Sequence, residues 1–209
     1  MTDPASSLDP AVAMLELDSI ALGVVTGDAM IKASPLGSIY AGTVHPGRYL
    51  VLVSGDTASV EVALEVGRAT GGGSVVDSMF LPDVHPEVSA AIVATDDTAA
   101  AAGEAIGLIE TATVATVIEA ADAGVKSADV TLAALRLADG LGGKGYLVFG
   151  GVLADVEAAV ESAVARAEPS GHLVHHVVVA QLADEMRHNL TSDLRFSRRV
   201  AARPQERQG

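Results

Sequence analysis

The apolar pattern opens on a short run, Ala13–Asp18, that predicts a strand, and the residues up to about Ala13 are expected to be unstructured. A helix follows over Ile20–Ala33, with apolar positions at Ile20, Val24, Ala29 and Ile31; Gly23 and Gly27 weaken it and Pro35 ends it. Ser38–Thr43 predicts a short strand, and the Pro-Gly pair in Thr43–Arg48 a turn. Tyr49–Ser54 is strongly β-prone. Asp56 or Thr57 caps a second helix, Ala58–Ala69, and Gly71–Gly73 leads to a strand over Ser74–Leu81.

The same order then returns. Strands are expected at Ala105–Thr111, Thr131–Leu137, Tyr146–Phe149 and Leu173–Ala180, and helices at Val114–Ser127 and Asp155–Arg166. The two halves also match in residues. LELDSIALGVVTGDAMIKASPL (Leu15–Leu36) lies over IETATVATVIEAADAGVKSADV (Ile109–Val130), placing Glu16 on Glu110, Asp28 on Asp122 and Lys32 on Lys126, 94 residues apart. Tyr49–Glu65 lies over Gly145–Glu161 at an offset of 96, so a two-residue length change falls in or near the turn between the central strands. A period this long means tandem copies of a whole domain. The expected fold class is α/β (α+β): two β-α-β-β-α-β domains, residues 14–93 and 104–190, with flexible tails over 1–13 and 191–209 and a linker around Ala94–Gly103.

Composition narrows the function. The 209 residues are 49% hydrophobic but only 3% aromatic, so the core must be built from Ala, Val, Leu and Ile, and such small units commonly bury further surface against neighbours. A net charge of −14 argues against nucleic-acid binding; the exception is a basic stretch after Asn189 carrying Arg195, Arg198, Arg199, Arg203 and Arg207. The chain has no cysteine, which excludes disulfides, thiolate catalysis and any cluster held by its own thiolates. No apolar run has the length of a membrane span, and MTDPASSLDP does not resemble a signal peptide, so a cytoplasmic protein is expected. No nucleophile motif or cofactor fingerprint is present. An enzyme is not expected.

Several segments resemble the bacterial microcompartment shell domain. They are the helix EAADAGVKSADV (Glu119–Val130) after the strand GLIET, its partner GDAMIKASPL (Gly27–Leu36), and the strand-to-helix stretches VSGDTASVEVAL and FGGVLADVEAAV. The turn HPGRYL, the loop GLGGKGYLV and the phrase VDSMFLPDVHPEV resemble the tandem-domain, trimer-forming class found in propanediol-utilising compartments. The likeness runs from about Met14 to Leu190, in the strand-first, non-permuted order. It implies a structural shell protein whose trimers mimic a hexamer, tile beside other shell proteins into a facet, and pass small metabolites through a central pore. A small-molecule-binding regulatory ring is the alternative.

The resemblance also assigns roles to residues. Thr43, Val44, His45, Pro46 and Gly47, with Asp139, Gly140, Leu141, Gly142, Gly143 and Lys144, match the loops that ring the pore. Read from the sequence alone, both are ordinary glycine-bearing turns. Gly142-Gly143-Lys144 is not a phosphate-binding loop, because no Ser or Thr follows the lysine and a strand comes next. Lys32 and Lys126 are favourable cations at helix C-termini, and they match the lysine at the tile edge. His45 stands where the propanediol-type proteins carry a cysteine, three of which hold an iron–sulfur cluster. It reads as a pore-lining side chain, with a three-histidine metal site as the lesser possibility. No cofactor is expected. Glu16, Glu110, Asp28 and Asp122 are read as structural or interface hydrogen-bonding groups, and the histidines 172, 175 and 176 as surface residues that do not converge.

Overall fold

The computed structural model describes residues 8–94 and 103–190. The expected tail over 191–209 and most of the linker and N-terminal tail lie outside them. Each half is a four-stranded antiparallel sheet with two helices on one face. In the first half β1 (Ala11–Leu17), β2 (Ser38–Val44), β3 (Arg48–Gly55) and β4 (Val75–Leu81) stand in the order β2-β3-β1-β4, with α1 (Ile20–Ala33) and α2 (Thr57–Gly71). In the second, β5 (Ala105–Thr111), β6 (Thr131–Leu137), β7 (Gly145–Gly151) and β8 (Leu173–Val179) stand as β6-β7-β5-β8, with α4 (Val114–Ser127) and α5 (Leu153–Ala167). The registers agree so closely that both inner pairs slip at the same place, between Glu16 and Leu17 and between Glu110 and Thr111.

Three features differ from expectation. The chain before Ala13 is not all tail: β1 starts at Ala11, and Leu8 is buried beside it. Two short helices were not foreseen, α3 (Pro86–Val93) and α6 (Asp184–Leu190). For α3 the signal was present, since Pro86 holds the first helical position and His85 caps it through Nδ1. The length change falls in the expected turn: Thr43 and Tyr49 pair across five residues, Leu137 and Gly145 across seven. A bulge at Ala133 offsets a shorter connection into β6.

Alternation along β1 explains why all seven of its residues are buried. Ala11, Ala13, Leu15 and Leu17 pack with Met30, Val60, Ala63 and Leu64 under the first domain's helices. Val12 and Met14 face the other way and join one continuous core with Leu52, Met79, Leu81 and the helix α4 of the second domain. The domains are therefore welded through the first sheet's outer face. The second sheet's outer face, with Ile106 and Val148 buried and Leu108, Tyr146 and Val179 part-buried, carries among the described residues a small cluster with Leu182 and Leu190 at the α6 end.

Of the two glycines that weaken α1, Gly23 has a packing reason. A methyl group on Gly23 would sit 2.4 Å from the Tyr49 ring. In the second domain the same pair is reversed, Val117 lying over Gly145, where a methyl would meet the valine at 2.4 Å. Large and small have changed sides, so that each pair keeps one glycine under the other's side chain.

Candidate functional site

The two loops matched to the pore are neighbours in space. The first joins β2 to β3: a cis peptide precedes Pro46, and Gly47 takes φ 105°, a region that favours glycine. Its amide donates to the Val44 carbonyl at 2.9 Å, closing the turn. Thr43, His45, Pro46 and Gly47 are exposed and Val44 is half-buried. The second loop joins β6 to β7, where Gly140, Gly142 and Gly143 take φ of 73°, 65° and 86°. The Ala138 amide donates to the Lys144 carbonyl at 3.0 Å and pinches the loop at its base. Asp139, Gly140, Gly142 and Lys144 are exposed, Leu141 half-buried and Gly143 buried. A methyl on Gly143 would stand 3.2 Å from both the His45 carbonyl oxygen and the Pro46 ring, so only glycine lets the loops approach this closely.

Beneath the loops lies a polar seam between the domains. Glu16, fully buried, accepts from the Ala115 amide in the first turn of α4 at 2.7 Å. Arg48 donates to Glu16 at 3.3 Å and to the Ala112 carbonyl at 3.1 Å. Asp77, beside Glu16 on β4, accepts from the Thr113 and Thr116 hydroxyls at 2.5 and 2.8 Å. The first domain thus caps α4, because Thr113 makes no side-chain cap of its own. Burial pushes the Glu16 carboxyl up to about 7; the Ala115 amide and Arg48 oppose this, and Asp77 adds to it. At the far end of α4, Asp122 accepts from the His85 amide at 2.8 Å and pairs with Lys126 at 2.7 Å, while Lys126 also donates to the Asp83 carbonyl.

The equivalent groups of α1 and the second sheet face solvent. Lys32 pairs with Asp28 at 2.6 Å, both well exposed. Lys144 pairs with Glu110 at 2.5 Å, half-exposed. From the sequence Arg48 was read only as part of the pore-matched turn, not as a partner of Glu16, and Asp77 was not singled out. The duplication held the signal for Arg48, which aligns with Lys144, whereas Asp77 aligns with His175 and so hides in a mismatch. His175 and His176 are exposed on β8, and His172 lies before the strand. Among the described residues no three His, Cys, Asp or Glu side chains are grouped to hold a metal.

The BMC-domain family model matches residues 11–84 and again 105–182. The chain belongs to the BMC-domain family. It is 37% identical over 179 residues to the bacterial microcompartment shell protein PduT of Citrobacter freundii, covering 86% of this chain and 96% of that one. It is also 28% identical to the carboxysome assembly protein CcmO of Synechocystis sp., spanning 87% of this chain and 65% of that relative. A solved microcompartment protein from Desulfitobacterium hafniense superposes with a TM-score of 0.72 at 37% identity, over 86% of this chain and 99% of the other. This tandem BMC protein is a structural component of a microcompartment shell and not an enzyme. Among its described residues no helix is long and apolar enough to cross a membrane.

Proposed function

We propose that three copies of this tandem BMC protein close head to tail into a ring of six domains, which tiles with other shell proteins into a facet and passes small metabolites through a central pore. One observation carries the reading. Ile20, Leu22, Val24 and Ile31 of α1 are 46, 41, 53 and 52% exposed, whereas their counterparts Val114, Thr116, Ile118 and Val125 on α4 are 0, 1, 0 and 8% exposed. The face that α4 buries on the first domain is thus left open, position for position, on α1. Among the described residues the second sheet's outer face, equivalent to the one that receives α4, is open to match apart from the α6 end. A head-to-tail contact of this kind repeats until it closes, and the tandem pair supplies one step of the ring inside each chain.

In this ring the loops carrying His45 and Asp139–Lys144 surround the axis, with Thr43, Val44, Pro46 and Gly47 on the first-domain side. Lys32 and Lys126 sit at the tile edges and meet neighbouring discs. Light scattering after size exclusion is expected to give three times the 21.1 kDa chain mass. The double variant Lys32→Ala, Lys126→Ala is expected to keep that mass and form fewer sheets in negative stain at high concentration. A monomeric wild type contradicts the ring, and undiminished sheets from the variant contradict the edge assignment.

A further inference from the structure

Two ion pairs occupy equivalent places in the two domains. Arg48 aligns with Lys144 and Glu16 with Glu110, because Leu17 pairs with Tyr49 as Thr111 pairs with Gly145. In the first domain the pair is a finished joint: Arg48 bridges Glu16 and the Ala112 carbonyl, and Glu16 holds the Ala115 amide. In the second domain Lys144 holds Glu110 and, among the described residues, nothing from another domain stands opposite, leaving their side chains 51 and 39% exposed. At the 94-residue offset, the counterparts of Ala112 and Ala115 are Asp18 and Ala21, at the start of α1. Ser19 caps α1 through the Leu22 amide, and the Ala21 amide is one that a helix leaves unpaired in its first turn.

We propose that Glu110 and Lys144 of one protomer form a clamp on the start of helix α1 of the next, Glu110 accepting from the Ala21 amide and Lys144 donating to the Asp18 carbonyl. This rests on the ring proposed above and assigns its inter-chain joint to two residues. It also draws the ammonium of Lys144, which belongs to a pore-matched loop, to the seam, as the Arg48 guanidinium is within the chain.

The two joints differ in kind. Arg48 serves carboxylate and carbonyl from one planar nitrogen, Nη1, whose two hydrogens point in fixed directions, while lysine must serve both with a freely rotating ammonium. Asp77 beside Glu16 is replaced by His175 beside Glu110, so the inter-chain joint gathers one carboxylate fewer and loses the acceptor for the helix hydroxyls. The covalently linked joint has the stronger set of partners, and the joint that must form by collision has the weaker.

The test is dissociation of the full-length chain on dilution, followed by mass photometry, for wild type, Glu110→Gln, Lys144→Met and Lys144→Arg. Glu110→Gln and Lys144→Met should each weaken the trimer about tenfold or more, the size expected for losing hydrogen bonds to a charged group. Lys144→Arg should hold it as tightly as wild type or tighter. Urea unfolding of the dissociated chains should be unchanged, since both side chains are half-exposed there. Wild-type trimers with equally tight Glu110→Gln and Lys144→Met variants overturn the clamp and leave the ring standing. A wild type that stays monomeric overturns both.

Discussion

Glu16 shows what one side chain gains or loses by its place in the seam. Its carboxyl is fully buried, and burial raises it from 4.5 to about 7 against the pull of the Ala115 amide and Arg48. The native state therefore keeps a proton that the unfolded chain releases. The contribution is complete below about pH 4.5 and is lost as pH rises to about 7 and through it, amounting to roughly 3 kcal/mol. Urea unfolding of wild type should show this downward slope, and Glu16→Gln should flatten it. A wild-type profile that instead rises across the same window would show that the charged form is the one favoured. The repeat made Glu16 and Glu110 legible as a matched pair and as hydrogen-bonding groups. It could not show that one is sealed and the other open, because that depends on which domain has a neighbour within the same chain.

At the scale of elements, the strands and long helices were legible because their apolar periods are intact. Thr131–Leu137 and Val114–Ser127 fall on the expected residues. What escaped was short or asymmetric. β1 begins earlier than Ala13 because Ala11 is covered by the first domain's helices and Val12 by the second domain, and the second of these burials is tertiary. α6 has only seven residues, too few for a helical period to stand out. The glycines in α1 were read as weakening the helix. They do so, but Gly23 is where Tyr49 lies, and the exchange with Val117 and Gly145 shows that the position is constrained by volume. Gly23→Ala should therefore destabilise the chain by about 1–3 kcal/mol, despite alanine's better helix propensity. Thermal unfolding reads this directly, and a stabilised variant would mean that the Tyr49 ring has room to move.

For the whole molecule, the duplication announced two domains but not how they sit. The decisive asymmetry is tertiary: α1 and α4 are both apolar along the same positions, and only the structure shows one face covered and the other bare. The candidate pore loops were legible from glycine content and resemblance, and their contact through Gly143 was not, since it joins residues nearly a hundred positions apart. The proposed ring requires the next chain to dock on the bare face of α1 as the first domain docks on α4 within the chain. The absence of cysteine allows a direct measurement. Thr116 touches Asp77 inside the chain, and the equivalent positions across the proposed seam are Leu22 and His175. The double variant Leu22→Cys, His175→Cys, treated with a short bis-maleimide, should yield a covalent ladder that stops at three chains on a denaturing gel. The control Thr116→Cys, Asp77→Cys should cross-link within single chains alone. A ladder running past three chains, or no inter-chain product from a correctly folded variant, would contradict the account.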